Sequence, residues 1–151
     1  MNFLYDLAVY AIPLIFAITM HEAAHGWMAE RFGDDTASMM GRVTLNPIPH
    51  IDLIGTIIVP GILLLGSAVT GFGGVLLGWA KPVPVNTRNL RPFRQGMFMV
   101  ALAGPLSNLL QALFWLLMLK LFILTGFLTQ SLLDLTIAGV MVNFYSMAFN
   151  L

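Results

Sequence analysis

Cysteine is absent from the 151 residues, so disulfides and thiolate metal ligands are excluded. Charge is nearly absent as well. Only 9% of residues are Asp, Glu, Lys or Arg, against roughly a quarter in soluble domains. Formal net charge is zero, and nothing in it favours nucleic acid. The N-terminus, Met1-Asn2-Phe3-Leu4-Tyr5-Asp6, lacks a basic leader. No small-residue cleavage site comes after it, so the first apolar run reads as retained rather than as a signal peptide. Soluble domains, low-complexity tracts and convincing internal repeats are missing too.

The remainder is apolar: 58% hydrophobic residues and a mean hydropathy of +0.86. Those values predict an all-α, polytopic membrane helix bundle in one domain, 1–151, embedded in a lipid bilayer. Four stretches carry the hydrophobicity, at about 3–32, 53–79, 97–119 and 132–151. At about 1.5 Å rise per residue the first, third and fourth are long enough to span. Pro13 can kink the first, and Gly33-Asp34-Asp35 reads as its C-terminal stop. The second holds Pro60-Gly61, Gly66, Gly71, Gly73-Gly74 and Gly78. That glycine load suits a re-entrant element covered by protein or water, with a fourth span as the alternative. The connection 34–52 contains Asn46-Pro47-Ile48-Pro49-His50, where two prolines forbid regular helix.

Basic residues give an orientation. Four of the seven, Lys81, Arg88, Arg91 and Arg94, share one loop, which is expected on the cytoplasmic side. If 53–79 dips in and returns, Arg31 and Arg42 join that side and the N-terminus lies outside. If it spans, those two arginines move outside and the N-terminus turns inward.

Into the first apolar run is set His21-Glu22-Ala23-Ala24-His25. From Leu7 to Ala29 no other acid or base occurs. Histidines four apart share one helix face, and two neutral imidazoles so placed can reach one Zn²⁺. Glu22, about 100° around the helix from His21, can act on a water as general base. A catalytic zinc wants a third protein ligand as well as an open position. A chance match is the bland alternative, but a charged residue inside a span costs on the order of 2.5–3.5 kcal/mol on insertion scales. Helix packing alone gives no reason to keep one. Ala23, Ala24 and Gly26 would let another backbone come close.

Other polar residues have two readings each. Asn108 is a candidate contact for substrate backbone or an oxyanion, or the donor of an interhelical hydrogen bond, and Asn143 has the same ambiguity. His50 and Asp52 form an auxiliary polar pair, or else satisfy backbone groups in a proline-rich turn and cap the next segment. Asp134 reads as interfacial, Gly104-Pro105 as a packing and kink feature, and Trp27, Trp79 and Trp115 as interfacial or packing residues.

Three ordered motifs resemble the site-2 protease family of intramembrane zinc metalloproteases, in its compact prokaryotic branch. They are His21-Glu22-Ala23-Ala24-His25-Gly26, then Gly41-Arg42-Val43-Thr44-Leu45-Asn46-Pro47 with His50-Ile51-Asp52, and then Ala103-Gly104-Pro105-Leu106-Ser107-Asn108. The resemblance implies a multi-pass protease of a prokaryotic cell membrane. It implies cleavage in or near a substrate's transmembrane helix, with His21 and His25 as zinc ligands, Glu22 as base and the site toward the cytoplasm. It also implies a third ligand, an aspartate at or after the last core helix. That ligand is expected beyond Leu151, so the chain reads as lacking its C-terminal ligand segment. The other readings are an ion or metal transporter, where buried His and Glu mark an ion path, and an inactive fragment of the protease. The substrate's identity and the oligomeric state are not written in the sequence.

Overall fold

The computed structural model describes residues 3–70 and 79–149. Gly71, Gly73, Gly74 and Gly78 of the glycine-rich stretch, and Asn150-Leu151, lie outside them. The described residues form helices joined by irregular segments, with no strand among them.

Three helices are long and apolar enough to cross a membrane: α1 (Phe3–Arg31), α4 (Phe93–Thr125) and α5 (Gln130–Phe149). Between α1 and α4 lie the single-turn α2 (Thr36–Met39) and α3 (Val59–Thr70), the latter entered through a wide π-type turn, Leu53–Ile58. Local chemistry sets the ends. Gly33 takes φ 96°, and Asp34 N–H returns 2.9 Å to the Ala29 carbonyl, a left-handed closure of α1. Gly126 ends α4 the same way at φ 74°. At both ends α4 outruns the apolar stretch 97–119. Arg94 and Lys120 are exposed, and stems of their length can cover apolar surface while the charged heads reach water.

α4 runs antiparallel to α1 and α5. Tyr5 Oη donates to Asp134 Oδ2 at 2.7 Å, joining the first turns of α1 and α5. Further along, Leu14, Ala17 and Ile18 of α1 pack with Val142 of α5. Trp115 of α4 lies on Gly139 of α5, which has no side chain to obstruct it. Both pairings, traced residue by residue, bring the last turn of α5 level with His21. The outward row Leu106, Leu110, Leu113, Leu117, Leu121 and Leu124 on α4 is exposed, an apolar surface of the kind suited to lipid.

Ahead of α4 an irregular strap, residues 79–91, lies across the C-terminal half of α1. Its first residue meets the start of the π-type turn: Trp79 N–H donates to the Gly55 carbonyl at 3.1 Å, and Thr56 Oγ1 donates to the Trp79 carbonyl at 2.8 Å. The two ends of the segment 55–79 therefore lie side by side. Ala80 joins the core formed by α1 and α5, and Leu90 packs with Ala29 and Val100 in a second core.

Asp34 fastens the far end of the strap. Its buried carboxylate accepts from Asn86 N–H at 2.6 Å, Asn89 Nδ2 at 3.1 Å, and the Thr36 hydroxyl and N–H. Burial alone would raise the Asp34 pKa, but the bonds from Thr36, Asn89 and Asn86 outweigh it and hold the group below its ordinary 3.8. A carboxylate depressed on folding adds stability above its unfolded pKa and loses it as pH falls through the folded one. Thermal unfolding of detergent-solubilised protein should lose stability as pH drops below about 4, and Asp34→Asn should flatten that dependence. Asp34→Ala should cost on the order of 1–3 kcal/mol at neutral pH, because it removes the buried carboxylate that gathers the Thr36, Asn86 and Asn89 donors.

Candidate metal centre

His21 and Glu22 are buried on α1 at 2% and 5% exposure, and His25 is half-buried. The spacing to Arg31 sets them about 9–15 Å in from the end of the helix. The helix repeat brings the two imidazoles together, Nε2 to Nε2, at 3.0 Å. His25 Nδ1 lies 2.6 Å from the Val100 carbonyl of α4. A carbonyl only accepts, so His25 carries its proton on Nδ1 and presents a lone pair at Nε2. His21 Nε2 faces that lone pair. Two nitrogens in a tetrahedral zinc shell stand about 3.3 Å apart, given Zn–N bonds of about 2.0–2.1 Å. The pair is already near that separation.

The neighbouring helix is shaped around these nitrogens. A Cβ on Gly104 would stand 2.5 Å from His21 Nε2 and closer still to His25 Nε2, nearer than packed atoms tolerate. Glycine is thus required here because α4 backbone approaches the two imidazole nitrogens. Sequence reasoning treats Gly104 as a packing and kink position, and its contact with the histidines is not visible there. The chemistry of the donor set, the Val100 acceptor behind His25 and the cradle left by Gly104 fit a zinc ion held by His21 and His25.

Glu22 faces the strap, and its Oε2 accepts the Val83 N–H at 2.7 Å. Val83 lies between Pro82 and Pro84, which have no N–H to offer. Packing brings the strap this close: a Cβ on Gly26, one turn from Glu22, would stand 3.1 Å from Val83 Cγ1 and 2.9 Å from Val43 Cγ2. Backbone donors leave no mark in a side-chain pattern; the Pro-Val-Pro run was the available signal for an extended segment.

Asn108, fully buried on α4, lies against His21. Its Nδ2 and the His21 Nδ1 are both without a hydrogen-bond partner, while its Oδ1 accepts from Gln111 Nε2 at 3.4 Å on the same helix. Asn143 donates to the Gly139 carbonyl of its own helix at 2.9 Å rather than across to a neighbour. Asp134 stays at the far end of the bundle with Tyr5 and Gln130.

His50 and Asp52 do not join the pair. Asp52 Oδ1 caps the π-type turn, accepting from Ile54 N–H at 3.1 Å and Gly55 N–H at 2.7 Å. His50 Nε2 donates to the Thr44 carbonyl at 3.1 Å, and the His50 carbonyl accepts from Lys81 N–H at 3.0 Å. Burial pushes the His50 imidazole below its ordinary pKa, and the nearby Arg42 charge acts the same way. Both residues organise the connection beneath the strap. Among the described residues no group of three His, Cys, Asp or Glu side chains assembles to hold a metal.

The chain is similar to a protein of Bacillus subtilis (strain 168) described as "Putative zinc metalloprotease YwhC", with 48% identity over 101 residues. That stretch is 67% of this chain and 40% of the Bacillus protein. No protein-family model and no solved structure matches the chain.

Gly104→Ala tests the cradle. Alanine favours helix more than glycine, so α4 should persist, while the new methyl forces the two imidazoles apart. Zinc affinity, read by metal titration of purified protein, should fall by about ten- to a hundredfold with helix content unchanged. Unaltered affinity would show that the pair does not hold the ion against α4.

Proposed function

We propose that this chain forms the core of a zinc-dependent endopeptidase that cleaves peptide bonds in or near the transmembrane helices of its substrates. The observation that carries the reading is the convergence of His21 and His25 Nε2 at 3.0 Å, with Glu22 next to His21 in the chain and buried, in a bundle with three helices of membrane-crossing length. The likeness to the Bacillus protein supports a zinc metalloprotease. The burial of the site inside an apolar bundle supports cleavage at membrane depth.

A multi-pass arrangement, with α1, α4 and α5 crossing and 53–79 re-entering, is supported by the Gly55–Trp79 contact, since a crossing segment would separate its ends. Arg31, Arg42, Lys81, Arg88, Arg91 and Arg94 then gather at the end of the bundle where α1 finishes and α4 begins. This is the end we assign to the cytoplasm, with the site toward it. The resemblance puts the third ligand after the last core helix, and the register that brings the last turn of α5 level with His21 is consistent with that.

His21 and His25 would hold the ion, which when bound supplies Lewis-acid polarisation of a carbonyl and lowers the pKa of water. The protein's own groups do the rest. Glu22, kept in one rotamer by the Val83 N–H, takes a proton from the attacking water. The water oxygen bonds to the scissile carbonyl carbon, and the C–N bond breaks as Glu22 passes the proton to the leaving nitrogen. Asn108 Nδ2, a buried donor with no partner, is available to the carbonyl oxygen as negative charge develops there. The apolar walls restrict entry of further water.

Glu22→Gln keeps an amide oxygen that can accept from Val83 but removes the base. Cleavage of a reconstituted membrane-protein substrate should fall by about 10²–10⁴-fold, with zinc content unchanged. Persistent cleavage by this variant would refute the assignment.

A further inference from the structure

Arg42 lies outside the histidine motif, yet it is buried to 8% exposure under the strap. Its Nη2 donates to the Lys81 carbonyl at 2.8 Å and to the Pro82 carbonyl at 3.3 Å. The Pro82 carbonyl and the Val83 N–H belong to one peptide unit. In a trans peptide those two groups point in opposite directions. One side of the unit therefore faces the Arg42 guanidinium, and the other faces the Glu22 carboxylate at 2.7 Å.

The arrangement is electrically ordered. A positive charge sits at the oxygen end of the peptide dipole and a negative charge at the hydrogen end. Each polarises the bond in the sense that strengthens the other, and the low dielectric of a buried site enhances the effect. Turning the peptide over would point a carbonyl oxygen at Glu22 and an N–H at a guanidinium, unfavourable at both ends. We propose that Arg42 is a positioning residue for Glu22, acting through the Pro82–Val83 peptide. It fixes the orientation of the strap so that the Val83 N–H holds the carboxylate beside the two histidines.

The neighbours supply restraint but not this orientation. His50 engages the Lys81 N–H, and Asp34 engages Asn86 and Asn89. Each holds the strap at a distance from Val83. Arg42 alone among these contacts grips the same peptide unit that Glu22 accepts from.

The proposal rests on the protease reading, and its test has one arm that does not. In purified protein without substrate, amide hydrogen exchange at Val83 reports the Glu22 contact directly. Arg42→Met should speed that exchange by about tenfold or more, as Glu22→Ala should, while exchange in α4 and α5 stays slow. In the second arm, Arg42→Met should lower kcat by about tenfold or more with KM and zinc content nearly constant, because only an interaction at the reacting centre is lost. Arg42→Lys should recover part of both effects, since it keeps a positive charge on the carbonyl side of the Pro82–Val83 peptide, and it also covers the case in which the methionine variant fails to fold.

Val83 exchange as slow in Arg42→Met as in the parent would overturn the proposal, as would a loss confined to KM or accompanied by loss of zinc. If Arg42→Lys matched a folded Arg42→Met in both readouts, the rescue would fail and the positioning role with it. Cleavage that survives Glu22→Gln would instead bring down the protease reading. The exchange arm would still report whether Arg42 orients the peptide.

Discussion

A carboxylate buried among apolar helices must be given donors or lose its charge, and Glu22 finds its donor in another segment of the chain. The bond from Val83 N–H is the constraint around which this end of the molecule is arranged. To deliver one backbone amide to that spot, the strap has to be held along its length. Trp79 is held by Gly55 and Thr56, Lys81 by His50 and Arg42, the Asn86–Asn89 turn by Asp34, and Arg91 N–H by the Phe32 carbonyl at 2.7 Å. Each fastening is ordinary. Together they convert an irregular segment into a fixed wall of the site.

The opposite wall is made differently. α4 contributes no ion and no charged group beside the histidines. It contributes the absence of a side chain at Gly104, an acceptor at Val100 and an amide at Asn108. One wall thus offers polar backbone where the chain is irregular. The other offers close approach where the chain is helical. The two histidines sit where these walls meet.

Much of this is legible in the sequence because it is local. The all-helical architecture and the membrane-length helices arise from long apolar runs. The convergence of His21 and His25 comes from a four-residue spacing on a helix, and Gly33 is readable as the end of α1. The strap is not legible, because it depends on contacts between residues far apart in the chain. Nothing in Asp34 announces that it will hold Asn86, and nothing in Pro82-Val83-Pro84 says which carboxylate its single N–H will meet. Gly104 fails for a related reason: a glycine in an apolar helix looks the same whether it faces lipid, a neighbouring tryptophan as Gly139 does, or two imidazoles. His50 and Asp52 have side chains that suggest chemistry, but they serve backbone groups in their own connection.

The meeting of Gly55 with Trp79 has a consequence for how the molecule tolerates change. Where a segment leaves and rejoins a fold at one point, the stretch between behaves as an inserted unit whose length is uncoupled from the frame that carries it. Residues can be added or removed beyond the Thr56–Trp79 fastening without altering the path of the strap. The end of the bundle that carries the histidine pair is in this sense insulated from changes of length between these two residues. Between those two residues a scaffold of this kind can diversify while His21, Glu22 and His25 stay where they are.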